Sequence, residues 1–336
     1  MRYASWIQGL LWIGSASLAV GCNYGVDPFA GDEGGLANAG DDGADDGVAD
    51  GGDAAADAGD DASDAVGDSG GAGTDTGTDP TATSDGDSGD SGGPIDNCHP
   101  IPSRVIVFGD SIFACFGVGG KSSNDCSPKI IADYISATYG PVTYENLAVN
   151  GDRTIHVPEQ QMPTMPVGPG HALVMIYIGG NDLAQYIFSS DQEAENQWTN
   201  SSGPEVAQKW EEIFEFLEDP ANFPDGVTLL MNNQYNPFDD CTAAPYQSVT
   251  PLKTEILAEH NALLAERAAA HGIAVITDQH TPFLGHGHHF DDSSCPYYMS
   301  GASGWMFDVI HPNVAGHRNL ADQMQLTVDS LYEDCE

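Results

Sequence analysis

Val105-Ile106-Val107-Phe108-Gly109-Asp110-Ser111-Ile112 is an apolar run that halts on a glycine and then presents a hydroxyl. Four consecutive apolar residues before a turn read as a strand buried on both faces, which is the pattern of a parallel sheet. Open α/β sheets keep their chemistry at the carboxyl ends of their strands, so Ser111 stands where a reactive group belongs. Far downstream, Asp308-Val309-Ile310-His311-Pro312 brings a carboxylate and an imidazole close together. A serine hydroxyl is too weak an acid to attack an ester unaided. A base that takes its proton and an acid that orients the base are the two parts it lacks.

Working outward, further strands are expected over 142–148, 172–179, 227–233 and 273–277, each short, apolar and followed by turn or polar residues. Helical stripes fall between most of them. Ile130, Ile131, Tyr134 and Ile135 share one face of 128–139; Val206, Trp210, Ile213, Phe214 and Leu217 share one of 205–218; Leu252, Ile256, Leu257, Leu263 and Leu264 do so over 251–271. A last helix is expected after Pro312, with Asn313 as its cap, running through Leu320, Met324 and Leu331. The β-α-β alternation predicts an α/β fold, a three-layer α/β/α sandwich on a mainly parallel five-stranded sheet. The long segments 189–203 and 234–250 read as loops bordering the site.

Composition divides the 336 residues into three parts. Residues 1–21 have a basic Arg2, an apolar stretch too short to span a membrane, and small residues leading into Cys22. Ala19-Val20-Gly21-Cys22 resembles the signal of bacterial lipoproteins, which implies cleavage before a lipidated Cys22 and an anchor on the outer membrane or cell surface. A plain secretory signal is the competing reading. Residues 22–97 are Gly, Asp, Ala, Ser and Thr with hardly an aromatic, too little apolar surface to offset ordering entropy. They read as a disordered acidic tether reaching about 45 Å or more. Asp85 to Asp90 superficially resembles a calcium loop, but Asp90 stands where the sharp turn needs glycine.

Residues 98–336 hold the apolar content of one domain, with eight basic against thirty-one acidic residues, a formal charge of about −23. Nucleic acid is thereby disfavoured as a partner, and anionic lipid surfaces are repelled. If Cys22 carries lipid, six cysteines remain for an oxidising compartment. Several connectivities are open; proximity favours Cys115 with Cys126, the domain ends favour Cys98 with Cys335, and Cys241 with Cys295 then remain.

Gly109-Asp110-Ser111-Ile112, Gly151, Gly179-Gly180-Asn181-Asp182 and Asp308-x-x-His311, in this order, resemble the four blocks of the SGNH (GDSL) hydrolases. Either short motif alone is an ordinary turn; four ordered blocks at strand ends are specific. Ile112 departs from the leucine of the family name, an exchange that keeps an apolar contact. The resemblance implies a flavodoxin-like sandwich and a serine esterase or lipase. Ser111 is then the nucleophile, His311 the base and Asp308 its partner, and the oxyanion donors are the Ser111 and Gly151 amides and the Asn181 side chain. It implies no cofactor. Asp110 and Asp182 are expected to shape loops rather than touch the reacting bond. The second glycine of the α/β-hydrolase nucleophile elbow is absent, since Phe113 takes its place.

Three further readings stay open. His280, His286, His288 and His289 invite a zinc site, although no carboxylate or cysteine stands at a clear ligand spacing; the 283–287 stretch also resembles a loop of the disulfide-bearing, lipase-like branch of the family, a site wall rather than a metal centre. Arg153, just past Gly151, is expected either to meet a substrate carboxylate or to lie in a surface ion pair. The expected substrate is a small-molecule, lipid or acylated-polysaccharide ester, handled by a monomer touching membrane only through Cys22. The rival from another class is a surface glycan- or lipid-binding module on a hydrolase scaffold.

Overall fold

The computed structural model describes residues 99–332. Five strands form one parallel sheet: β1 (Arg104–Gly109), β2 (Thr143–Asn146), β3 (Ala172–Tyr177), β4 (Val227–Asn232) and β5 (Ala274–Thr277). Their spatial order is β2-β1-β3-β4-β5, the flavodoxin-like order. The chain winds outward from β1 in one direction and then from β3 in the other. The crevice between the carboxyl ends of β1 and β3 is therefore the switch point where such sheets bind ligands.

Every residue of β1, β3 and β4 is buried, and their side chains alternate between two cores. Val105, Val107, Leu173 and Met175 face α1 (Ser127–Thr138) and α7 (Val314–Tyr332), against Ile131, Ile135, Leu320 and Met324. Ile106, Phe108, Val174 and Ile176 face α4 (Gly203–Glu218) and α5 (Pro251–Ala270), against Trp210, Ile213, Phe214 and Leu264. The two-residue period of the strand thus decides which layer each side chain supports. Short helices complete the order: α2 (Gly180–Ala184), α3 (Asp191–Gln197) and α6 (His280–Phe283).

The expected strands and long helices stand within a residue or two of their expected ends. Asn313 caps α7 as foreseen, its Oδ1 accepting the N–H groups of Ala315 at 2.9 Å and Gly316 at 3.1 Å. The segment 189–203 is not a loop: it holds α3, capped by Ser190 Oγ, and a wide turn over Trp198–Ser202. Its single inward stripe, Ala194 and Trp198, packs on Ile256 of α5 and is too sparse to show a period. Disulfides join Cys115 to Cys126 and Cys241 to Cys295. The expected Cys98–Cys335 pair, the lipoprotein-like signal, the tether and the calcium-like stretch lie outside the described residues.

Two fully buried histidines, His260 on α5 and His317 on α7, are held neutral by desolvation, their pKa pushed down to about 4. Both nitrogens of His260 lack a hydrogen-bond partner among the described residues. Unfolding frees each ring to take a proton below about 6.5, so the unfolded state gains protons as pH falls and stability is lost from about pH 6.5 down to 4. The loss is on the order of 3 kcal/mol per ring by pH 4. Asp110 works the other way, since its raised folded pKa favours folding as pH falls from about 7 towards 4. His260→Leu, which also removes two unpaired nitrogens, is expected to flatten the acid limb by about half the histidine contribution. Urea midpoints between pH 8 and pH 4.5 read this; an unchanged acid limb would assign it to other groups.

Candidate active site

Strand β1 ends on Gly109, where a Cβ would lie 2.4 Å from the Tyr177 carbonyl oxygen, so only glycine lets β1 approach β3 this closely. The chain then turns. The Asp110 N–H donates to that carbonyl at 3.2 Å, and Asp110 Oδ1 accepts the Ile112 N–H at 2.9 Å. Asp110 is buried, and desolvation, with the nearby Asp182 and Asp152 carboxylates, pushes its pKa up to about 7. The turn leaves the Ser111 N–H without an intramolecular partner among the described residues.

Across the crevice, a short loop presents His311. Both Asp308 carboxylate oxygens lie 2.8 Å from His311 Nδ1, and His311 Nε2 lies 2.8 Å from Ser111 Oγ. Asp308 Oδ1 also accepts the N–H groups of His311 and Ile310, at 2.8 and 3.0 Å. Burial alone would raise the Asp308 pKa; these hydrogen bonds and the imidazole outweigh it and hold the carboxyl below its ordinary value. Three anchors fix the loop. Tyr235 Oη donates to the Ile310 carbonyl at 2.5 Å, His288 Nε2 lies 3.1 Å from the Val309 carbonyl, and Phe307 N–H donates to the His311 carbonyl at 2.7 Å. The Phe116 ring packs 4.6 Å from the imidazole.

Gly151 adopts φ 83°, and its N–H has no intramolecular partner among the described residues. A Cβ there would meet no protein atom, so within the chain the glycine answers to its backbone angle and not to crowding. Asn181 Nδ2 donates to the Asp152 carbonyl at 2.9 Å, which uses one of its two hydrogens and sets the amide against the Gly151 loop. Asp182 fixes the same loop by accepting from Thr154 N and Oγ1, at 2.8 and 2.9 Å. The first glycine of Gly179-Gly180-Asn181-Asp182 has its own reason: at φ 119°, a Cβ would lie 2.4 Å from His260 Nε2.

Gln161 ties the end of β1, at Gly109, to the segment around Asp152. It is buried, its Oε1 accepts the Gly109 N–H at 2.9 Å, and its Nε2 donates to the Gly109 carbonyl at 2.8 Å and to Asp152 Oδ2 at 2.7 Å. Nothing in Pro158-Glu159-Gln160-Gln161 marks it, because all three partners are brought to it by the fold. Gln161→Leu strands three buried polar groups and is expected to cost about 3 kcal/mol or more of stability, read from the urea midpoint. A change below about 0.5 kcal/mol would show that the brace is redundant.

A cleft of about 780 Å³, open mouth included, runs from Ser111 and Asn181 between α2 and the start of α5. Its walls are mostly apolar, among them Leu183, Tyr186, Phe238, Val249, Ile256 and Leu257. The segment 234–250 borders this cleft as foreseen through Gln234 to Phe238 and Val249; the segment 189–203 does not line it.

The four histidines considered for zinc do not converge. His280 opens α6, its N–H donating to Asn233 Oδ1 at 3.0 Å, His286 stacks on Trp305 at 3.6 Å, His288 reaches the Val309 carbonyl and His289 lies against the Cys241–Cys295 disulfide. Cys241, His289 and Cys295 are the one group among the described residues with metal-like spacing, and both cysteines are bonded to each other. The stretch is a structural loop bracing the Asp308–His311 turn.

The model of the GDSL-like lipase/acylhydrolase family matches residues 107–318. The chain belongs to that family. Among solved structures, an extracellular lipase from Streptomyces rimosus is similar at 21% identity and a TM-score of 0.48, covering 68% of this chain and 99% of its own. A phospholipase A1 from Streptomyces albidoflavus NA297 matches at 18% identity and a TM-score of 0.49, again over 68% and 99%. Axe2, an acetylxylan esterase from Geobacillus stearothermophilus, matches at 14% and 0.42, over 67% and 94%. No curated protein sequence matched.

Proposed function

We propose that this GDSL-family chain is an exported serine esterase that cleaves carboxylic esters through an acyl-enzyme. The observation that carries the reading is the relay Asp308–His311–Ser111, with every link at 2.8 Å. His311 takes the proton as Ser111 Oγ attacks the carbonyl carbon, then returns it to the departing alkoxide; water repeats the cycle on the acyl-enzyme. Asp308 keeps the proton of the neutral ring on Nδ1 and stabilises the imidazolium. Negative charge on the former carbonyl oxygen is met by the Ser111 and Gly151 N–H groups and the second hydrogen of Asn181 Nδ2. Each such donor lowers the barrier by roughly 3–4 kcal/mol.

The apolar cleft next to Ser111 accepts the acyl chain, which supports lipid or other acyl esters ahead of charged acyl groups. Two disulfides suit an oxidising, extracellular setting, and the resemblance of Ala19-Val20-Gly21-Cys22 to a lipoprotein signal supports a lipid on Cys22. The full chain, incubated with a fluorescent fluorophosphonate and with para-nitrophenyl esters from acetate to palmitate, tests this reading. Labelling of Ser111 and a rate peak at medium or long chains are expected. Folded protein that neither labels nor turns over any ester would favour a binding module.

A further inference from the structure

Arg153 is the one Lys or Arg of residues 99–332 whose side chain forms no ion pair and no hydrogen bond among the described residues. Lys129, Lys209, Arg267 and Arg318 each pair with a carboxylate. Arg104, Lys121 and Lys253 donate to main-chain carbonyls. With a charge of about −23 on its domain, a guanidinium with neither a carboxylate nor a carbonyl partner among the described residues is the exception that needs a reason. The ion pair foreseen as its ordinary explanation does not form among the described residues.

Its place supplies the reason. Arg153 is two residues past Gly151 and is flanked by two residues pinned to α2: the Asp152 carbonyl accepts from Asn181, and Thr154 donates twice to Asp182. The carboxylates of this corner already have partners. Asp182 Oδ2 accepts from Thr154, and Asp152 is bonded to Gln161 and lies 3.3 Å from His156. The half-buried guanidinium still acts on this corner electrostatically, on Asp182 and on Tyr186, which lines the cleft.

We infer that Arg153, at the rim of the Gly151–Asn181 corner, is the recognition site for an anionic oxyacid group, carboxylate or phosphate, carried by the ester substrate outside the apolar cleft. Guanidinium binds both groups in a two-pronged hydrogen-bonded geometry, and a neutral ester offers it nothing. The repulsive field of the domain weakens anion encounter at low salt, so the contact acts at short range and its benefit grows as salt screens that field. This inference rests on the serine esterase reading.

The test compares matched esters on the full-length protein and on Arg153→Gln and Arg153→Lys, with melting temperatures confirming folding. The carboxylate arm sets para-nitrophenyl hydrogen adipate against its methyl-capped neutral diester; the phosphate arm sets a monoacylglycerol phosphate against the monoacylglycerol. Arg153→Gln is expected to lower kcat/KM at least tenfold on an anionic ester and less than threefold on its neutral counterpart, with Arg153→Lys between. Dependence in one arm names the source of the anion, and dependence in both shows that charge alone is read. Equal losses on anionic and neutral esters would make Arg153 a loop-positioning residue and overturn the inference, as would no loss on either anionic ester. Failure of wild type to cleave any neutral ester would instead count against the esterase reading.

Discussion

Ser111→Ala is expected to lower kcat by at least about 10⁴-fold on every ester that wild type cleaves, with KM changed by less than about threefold. Ser111 Oγ makes one side-chain hydrogen bond, to His311 Nε2, at the cleft. Removing it empties no core site, so the melting temperature should stay within a few degrees. The main-chain N–H of residue 111 persists in the alanine variant, as do Gly151 and Asn181. The remaining rate over water then measures what the oxyanion donors and binding contribute without a nucleophile, roughly 10³-fold or more in serine hydrolases. Titration with the fluorophosphonate on the same samples guards against trace wild type. Turnover within tenfold of wild type in the unlabelled variant would place the nucleophile elsewhere.

Asp308→Asn should cost about 10³- to 10⁴-fold in kcat for a different reason. The side-chain oxygen of the substituted amide can still accept from the backbone of Ile310 and His311, as Asp308 Oδ1 does, so the loop should keep its shape. Oδ1 is held by those two N–H groups, so what changes is Oδ2, the other atom 2.8 Å from His311 Nδ1. An amide nitrogen opposite His311 Nδ1 is a donor, which makes Nδ1 the acceptor and moves the ring proton to Nε2. Nε2 then points a hydrogen at Ser111 Oγ and cannot take its proton. The loss is one of tautomer, and it should exceed that of Asp308→Ala, where either tautomer is open. Asp308 is about a third exposed, 37% at its side chain, so the alanine variant leaves no sealed unpaired group behind. Rates of both variants across pH 6 to 9 decide the matter. A loss under tenfold in Asp308→Asn throughout that range would reduce Asp308 to a loop constraint.

Much of this was visible in the chain. The five strands were legible because three of them are buried throughout, as strands covered on both faces must be, and each ends on turn or polar residues. Ser111, Asp308 and His311 were legible as candidates because ester chemistry demands those side chains and the sheet rule says where to look, and the fold brings the three together. The short helices were not: α3 offers one buried alanine, and α2 is five residues long, so neither carries a period. Tyr235 and Gln161 were not singled out as site residues, and His288 was legible only as a zinc candidate. Each acts through a hydrogen bond to a residue 21 to 75 positions away, counting Gln161 to Gly109 at 52, and no local pattern encodes such a partner. The histidines adjacent in sequence point to different neighbours in the fold, which accords with the loop reading and not with the zinc alternative.

Local covalent chemistry and hydrophobic period belong to the sequence itself, and they determined the layer order of the sandwich, the strand ends and the residue types able to attack, shuttle a proton and orient a base. Distances between remote side chains belong to the packed structure alone. Only there do Ser111 and His311, 200 residues apart, meet at 2.8 Å; only there does Gln161 bridge two loops, and only there is the Arg153 guanidinium left without a hydrogen bond or ion pair among the described residues. Side-chain partnership is decided by which surfaces the core brings together, and burial makes each unpaired polar group costly enough for that choice to be specific.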